Sequence, residues 1–320
     1  MRRHRTRPQG VLLACAVAVV TCGLVGARAR AFAQGREVLV TGASGRTGRL
    51  VVQRLLEAAG KFQVRALVRS EGSGKELLGA LPGLKEEKVF VGDVLSPETL
   101  PPAIAGCLAL VIVTSAVPRI RLFSLVKTLL GSLIGKKSRP KFRWKGSLAP
   151  EQVDWEGVRN QVDAAIAAGV SHIVLVGSMG GTQADNFLNS IGEGDGDNIL
   201  QWKRKAEVYL IEKCEAGATT YTILHPGGLT DTRGGERRLV VGLDDELLAR
   251  KVRSIPRADV AELSVQALDC EEAKNRSFDV CAEPPGSGEP AGPTSLAALL
   301  APLKGKNCDY SINSDWPPGR

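Results

Sequence analysis

EVLVTGASGRTGRLVVQRLLE, residues 37–57, is the stretch whose reading decides the fold. Val38, Leu39 and Val40 read as a short strand buried on both faces, as in a parallel sheet. Leu50, Val51, Val52, Leu55 and Leu56 recur behind it at helical spacing. Gly42, Gly45 and Gly48 stand at the joint. A strand that opens through spaced glycines into a helix is how a chain grips a dinucleotide. The first glycine permits the tight turn, the second lets backbone N–H groups approach a pyrophosphate, and the third lets the helix pack closely. Gly42, Ala43, Ser44, Gly45, Arg46, Thr47 and Gly48 are therefore the candidate cofactor cradle. A second strand, QVRALVR at 63–69, completes the βαβ unit that gives such a motif its meaning.

The end of that second strand chooses between cofactors. An acidic residue there bonds the ribose 2′-hydroxyl of NAD, whereas an arginine accommodates the 2′-phosphate of NADP. Here the residue is Arg69, 21 positions after Gly48, and no Asp or Glu ends the strand. The guanidinium predicts NADP. Arg46 either adds to the same anion site or is a solvated loop residue.

Strand and helix alternate through the rest of the body. KVFVGDVLS (88–96) reads as a third strand and CLALVIVTSA (107–116) as a fourth. A helix at 151–170 feeds a strand at 171–181, a helix at 198–214 feeds a strand at 219–229, and RSFDVCA (276–282) is the last strand. This alternation predicts a doubly wound parallel sheet in one domain over 37–282. Ligands in such a sheet lie outside the strands' carboxyl ends, which makes Asp93, Thr114 and Ser115 cofactor candidates beside the alternative of helix caps and turns. From 283 to 320 the chain turns rich in Pro, Gly and Ser and reads as a linker, a short apolar helix and a loose end.

The first 31 residues stand apart. A basic start, an uncharged apolar run at 11–27 and Ala29-Arg30-Ala31 form a secretory-type leader, with a retained membrane anchor as the alternative. Phe32 after the cut resembles the bipartite leaders of algae with secondary plastids. The expectation is plastid delivery or, failing that, an endomembrane or extracellular destination. Loss of the leader's six arginines lowers the net charge from +8 to +2, so overall basicity points to no partner. Nine cations and no acid lie between Val117 and Pro150, a basic island on an otherwise acidic body. Within it, Leu122, Leu125, Leu129, Leu130 and Leu133 form an apolar stripe over 120–137. The stripe suits an anionic membrane surface, an acidic protein or a lid over the crevice, and nucleic acid less well. Cys107, Cys214, Cys270, Cys281 and Cys308 remain after the leader, with spacing that suggests neither zinc nor a disulfide framework.

TGASGRTG, LVRS, Gly92-Asp93, TSAVP, EQVDW, VGSMGG, WKRKAE, HPGGL and PRADVAE, taken in order, resemble the atypical short-chain dehydrogenase/reductases. Within them the likeness is to the NmrA-like plant NAD(P)-binding Rossmann proteins, over about residues 37–282. The resemblance implies NADP in the glycine crevice and a substrate-side lobe from the C-terminal third. Active members of the wider superfamily use Ser, Tyr and Lys, the lysine lowering the phenol's pKa. On that pattern Ser178 is the serine, and Lys205 is the lysine that also holds the nicotinamide ribose. Four residues before Lys205 stands Gln201, where a tyrosine belongs, and Tyr209 lies one turn the wrong way. Asn160 matches an asparagine near the active lysine, and His225 reads as a near-core histidine. Two functions stay open: an NADP-dependent reductase of a small carbonyl or conjugated substrate, and an NADP-binding sensor or scaffold acting through its basic helix.

Overall fold

The computed structural model describes residues 36–58, 60–120, 142–192, 197–284, 286 and 295–312. The leader and 121–141, which holds most of the basic stripe, lie outside them, so the membrane, acidic-partner and lid readings fall there too. No helix among the described residues is long and apolar enough to cross a membrane.

Strand β1 (Glu37–Thr41) is followed by helix α1 (Arg46–Glu57), β2 (Gln63–Val68), α2 (Glu71–Ala80), β3 (Val89–Val91), α3 (Pro101–Ile104) and β4 (Ala109–Ile112). β5 (Pro118–Ile120) and β6 (Phe142–Trp144) pair antiparallel at the two ends of the basic segment. A π-helical turn at Glu151–Glu156 runs into α4 (Gly157–Ala167), then β7 (His172–Val176), α5 (Ile199–Glu215) and β8 (Thr220–Pro226). β9 (Gly228–Thr230), β10 (Leu239–Gly242), β11 (Ser254–Pro256), α6 (Arg257–Gln266), β12 (Arg276–Ala282) and α7 (Leu296–Leu300) complete the order.

The main sheet runs β3-β2-β1-β4-β7-β8-β12-β10, and only the β10–β12 pair is antiparallel. Chain order reverses between β1 and β4, and a crevice opens at such a switch point beyond the strand ends. Alternation along β1 builds the two cores. Val38 and Val40 pack with Val51, Leu55 and Val260 of α1 and α6 on one face. Leu39 packs with Val158, Val162 and Leu210 of α4 and α5 on the other. The arrangement is a single-domain, doubly wound Rossmann-like α/β fold.

β9 and β11 form a small parallel pair. Gly227, at its start, has no room for a Cβ, which would stand 2.1 Å from the Arg253 carbonyl oxygen and 2.9 Å from Met179. The pair thus stands against the turn that carries Ser178.

The loose end expected at the carboxyl terminus is instead docked where it is described. Leu296 and Leu300 are 1% and 2% exposed. Asn307 accepts hydrogen bonds from Arg276 and the Ser277 amide, Asp309 offers its carbonyl to Arg204, and Cys308 is buried. The Pro/Gly-rich composition stops at Thr294, and side chains able to pack follow it.

Candidate functional site

The glycine loop is shaped by steric exclusion. Gly42 has φ +67°, and a Cβ there would meet the Val113 carbonyl oxygen at 3.0 Å. On Gly48 it would stand 2.2 Å from the Gly42 carbonyl oxygen, so the third glycine lets α1 close on the loop's own backbone. Gly45 caps α1 without a side-chain bond, and the first turn contains no acid. Such an end leaves amide groups and the positive pole of the helix available to an anion. Ala43 is buried, Ser44 and Thr47 are half-buried, and Gly45 and Arg46 are exposed. A pyrophosphate fits this cradle in shape and charge.

Arg46 is exposed and has an acidic partner. Asp231 lies 3.0 Å from it and also 2.7 Å from Arg257 at the start of α6, linking the glycine loop to the PRADVAE segment. Arg69 is exposed just past β2, and Ser70 caps α2 by accepting from the Ser73 amide at 3.3 Å. Asp93 serves its own turn, its carboxylate accepting from the Leu95 amide. Ser115 donates to the neighbouring Ala116 carbonyl.

Beyond the ends of β4 and β7 a small crevice is lined by Thr114, Asp154, Gly177, Lys203, Ala206 and Glu207, among others. Thr114 accepts from Gln161 at 3.2 Å. Asp154, 1% exposed, accepts from the Ala116 amide at 3.0 Å through one oxygen and faces Lys203 Nζ at 2.7 Å through the other. Removing either member of a buried pair costs about 3–5 kcal/mol, so each fixes the other.

Lys203, and not the expected Lys205, lines this crevice. Lys205 Nζ lies 4.6 Å from the Trp155 ring and 5.1 Å from the Trp202 ring, away from the crevice lining. Two residues on a helix are about 200° apart, so both lysines cannot share a face. The apolar face of α5 carries Leu200, Ala206 and Leu210, and Lys203 falls on it by helical spacing. That periodicity was the signal available in the sequence. Asp154, inside EQVDW, had no comparable signal.

Tyr209 does not reach the crevice. Its hydroxyl donates to Asp163 at 2.6 Å, and burial with that bond pushes its pKa up to about 12. Asn160 donates to the Val94 carbonyl at 2.9 Å, bracing the loop after β3. Arg204 is 4% exposed and stacks on Tyr310.

Ser178, half-buried at the end of β7, donates to the Met179 carbonyl at 3.0 Å and borders a polar cavity. Asp245 holds the next turn by accepting from the amides of Gly180 and Thr182 and from the Thr182 hydroxyl. His225, 3% exposed, lies in this cavity's wall with Asp279 3.2 Å from Nδ1 and Glu207 3.2 Å from Nε2. Burial opposes a charged imidazolium, but the carboxylates outweigh it and raise the pKa well above the usual histidine value. The near-core reading of His225 holds.

A family model described as NAD(P)H-binding matches residues 42–271. An uncharacterised chloroplast protein of Arabidopsis thaliana is 49% identical over 253 residues, 79% of this chain and 71% of that one. Sanguinarine reductase of Eschscholzia californica is 46% identical over 263 residues, 79% of this chain and 91% of that one. The solved structure of the oxidoreductase ylbE from Lactococcus lactis matches with TM-score 0.55 at 18% identity, covering 84% of this chain and 97% of its own, which bears on the fold alone. The glycine cradle, the crevice at the switch point and these likenesses agree: the chain belongs to the NAD(P)H-binding family, in the atypical, NmrA-like branch of Rossmann-fold reductases.

Proposed function

We propose that the chain is an NADP(H)-dependent oxidoreductase that reduces a small carbonyl or conjugated double-bond substrate. The observation that carries this reading is the buried Asp154–Lys203 pair, facing the crevice that Gly177 lines between the ends of β4 and β7. Bound NADPH would supply a hydride. Lys203, aligned by Asp154, would hold the nicotinamide ribose through its ammonium and lend positive charge to the reacting oxygen. Ser178 would release Met179 and hydrogen-bond that oxygen, which would take its proton from solvent water. The loop amides at Gly42 to Gly48 would hold the pyrophosphate, and Arg69 the 2′-phosphate. The 46% identity to a protein named a reductase supports the reaction class.

A second reading is favoured by one observation. Four residues before Lys203 stands Ile199, and before Lys205 stands Gln201, so neither lysine has the phenol of active relatives. A binder of NADP that senses redox state without turnover fits that absence. The test is purified protein with NADPH across a carbonyl and quinone panel. Oxidation with any member supports the reductase; tight NADPH binding with no oxidation on the whole panel overturns it for the sensor. Plastid residence is part of the proposal, supported by the leader and the chloroplast relative; a fluorescent fusion of the full chain found outside plastids would overturn it.

A further inference from the structure

The described residues bring three potential ligand atoms together far from each other in sequence: His225 on β8, Asp279 on β12 and Cys308 in the docked tail. All three residues are buried, and their donor atoms lie within 4.8 Å of one another. Nδ1 of His225 faces Asp279 Oδ1 at 3.2 Å and Cys308 Sγ at 3.6 Å. One ring nitrogen has a single proton or a single lone pair, so it cannot satisfy both partners. Tetrahedral zinc, with bonds of about 2.0–2.2 Å to N and O and 2.3 Å to S, separates N from O by about 3.4 Å and N from S by about 3.6 Å. The two spacings from Nδ1 follow that pattern, and the Asp279 and Cys308 donor atoms lie within 4.8 Å of each other.

The surroundings suit a metal as well. His225 Nε2 points to Glu207, a carboxylate placed to fix the tautomer with Nδ1 free to bind. The second oxygen of Asp279 accepts from the Asp245 amide at 2.6 Å, and the Cys308 amide donates to Ser277, so two of the three ligands are themselves held. The mixed N, O and S set is one that zinc takes readily.

We propose that His225, Asp279 and Cys308 form a zinc site that fastens the C-terminal tail to the sheet, its fourth position open to the cavity beside Ser178. On binding, Cys308 gives up its thiol proton and His225 its Nδ1 proton to solvent, and bonds from sulfur and nitrogen to zinc replace both. Linear spacing gave no hint of this, because the ligands lie 54 and 83 residues along the chain from His225.

The experiment is direct and does not depend on activity. Full-length protein is stripped with chelator, loaded with zinc or cobalt(II) alone, desalted and assayed for bound metal and absorbance. The expected result is about one metal per chain, with a thiolate-to-cobalt charge-transfer band that Cys308→Ser removes and Cys281→Ser, a buried thiol elsewhere on β12, retains. Zinc should raise Tm by several degrees in wild type and Cys281→Ser, and not in Asp279→Asn. Failure of wild-type protein to retain metal, or survival of the band in Cys308→Ser, overturns the site. Should Cys308→Ser not fold, retained zinc stabilisation in Asp279→Asn would do so.

Discussion

Lys203 Nζ lies 2.7 Å from Asp154 Oδ1, and Asp154 holds the Ala116 amide with its other oxygen. One carboxylate thus joins α5 to the segment leaving β4. Lys203→Ala should lower kcat/KM on the order of 100-fold, and Asp154→Asn should lower both kcat and Tm. Lys205→Ala should leave kcat/KM nearly unchanged. Steady-state kinetics with a substrate from the panel decides between the lysines.

Arg69 should set the cofactor. A charged hydrogen bond contributes about 1.5–3 kcal/mol, so Arg69→Asp should weaken NADPH binding by about 10- to 100-fold. NADH binding should hold or improve. Titration of cofactor fluorescence against each variant measures both, and an unchanged NADPH-to-NADH ratio would falsify the assignment.

Two glycine-to-alanine substitutions should have opposite signs. Gly48→Ala forces a methyl to within 2.2 Å of the Gly42 carbonyl oxygen and should cost about 1–3 kcal/mol while weakening cofactor binding. Gly79, in α2, has open space where its Cβ would go, and Gly79→Ala should stabilise by up to about 1 kcal/mol. Denaturant melts of the two variants check the contrast.

Acid should destabilise the fold through His172. Burial first, then the nearby Lys274 charge, lowers its pKa to about 4, while both ring nitrogens bond to Thr220 and Thr222. The unfolded chain takes a proton near pH 6.5 that the folded chain refuses until about 4, so stability falls as pH drops through that window, by about 3 kcal/mol at most. His172→Asn should flatten this part of the pH–stability curve; an unaltered slope in urea melts at pH 4.5 to 6.5 would reject the cause.

The docked tail should matter for stability. Leu300, 2% exposed, belongs to the same core as Val38 and Leu55, and Leu300→Ala should cost about 2–5 kcal/mol. A Tm shift below one degree would show that the tail is ornamental.

What could be read from sequence was local and periodic. The β1–α1 joint, the β2 strand and RSFDVCA as strand β12 depend on neighbours within one turn or one alternation, and these readings match the described elements. What escaped was set by tertiary convergence. Asp154 acquires its role from Lys203, 49 residues on, and Cys308 from strands β8 and β12. The family resemblance points to Lys205, whereas helix geometry assigns the crevice face of α5 to Lys203. The tail misled through composition, since the Pro/Gly stretch ends before the residues that pack.

The β5–β6 ladder aligns Pro118 with Trp144, Arg119 with Arg143 and Ile120 with Phe142, and the Trp144 indole donates to Asp197. The 21 residues at 121–141 therefore leave and rejoin the body at adjacent points. A segment anchored in that way is modular: evolution, or an engineer, can lengthen it, replace it or excise it for a tight turn without moving β4, Asp154 or the cradle that begins at Gly42.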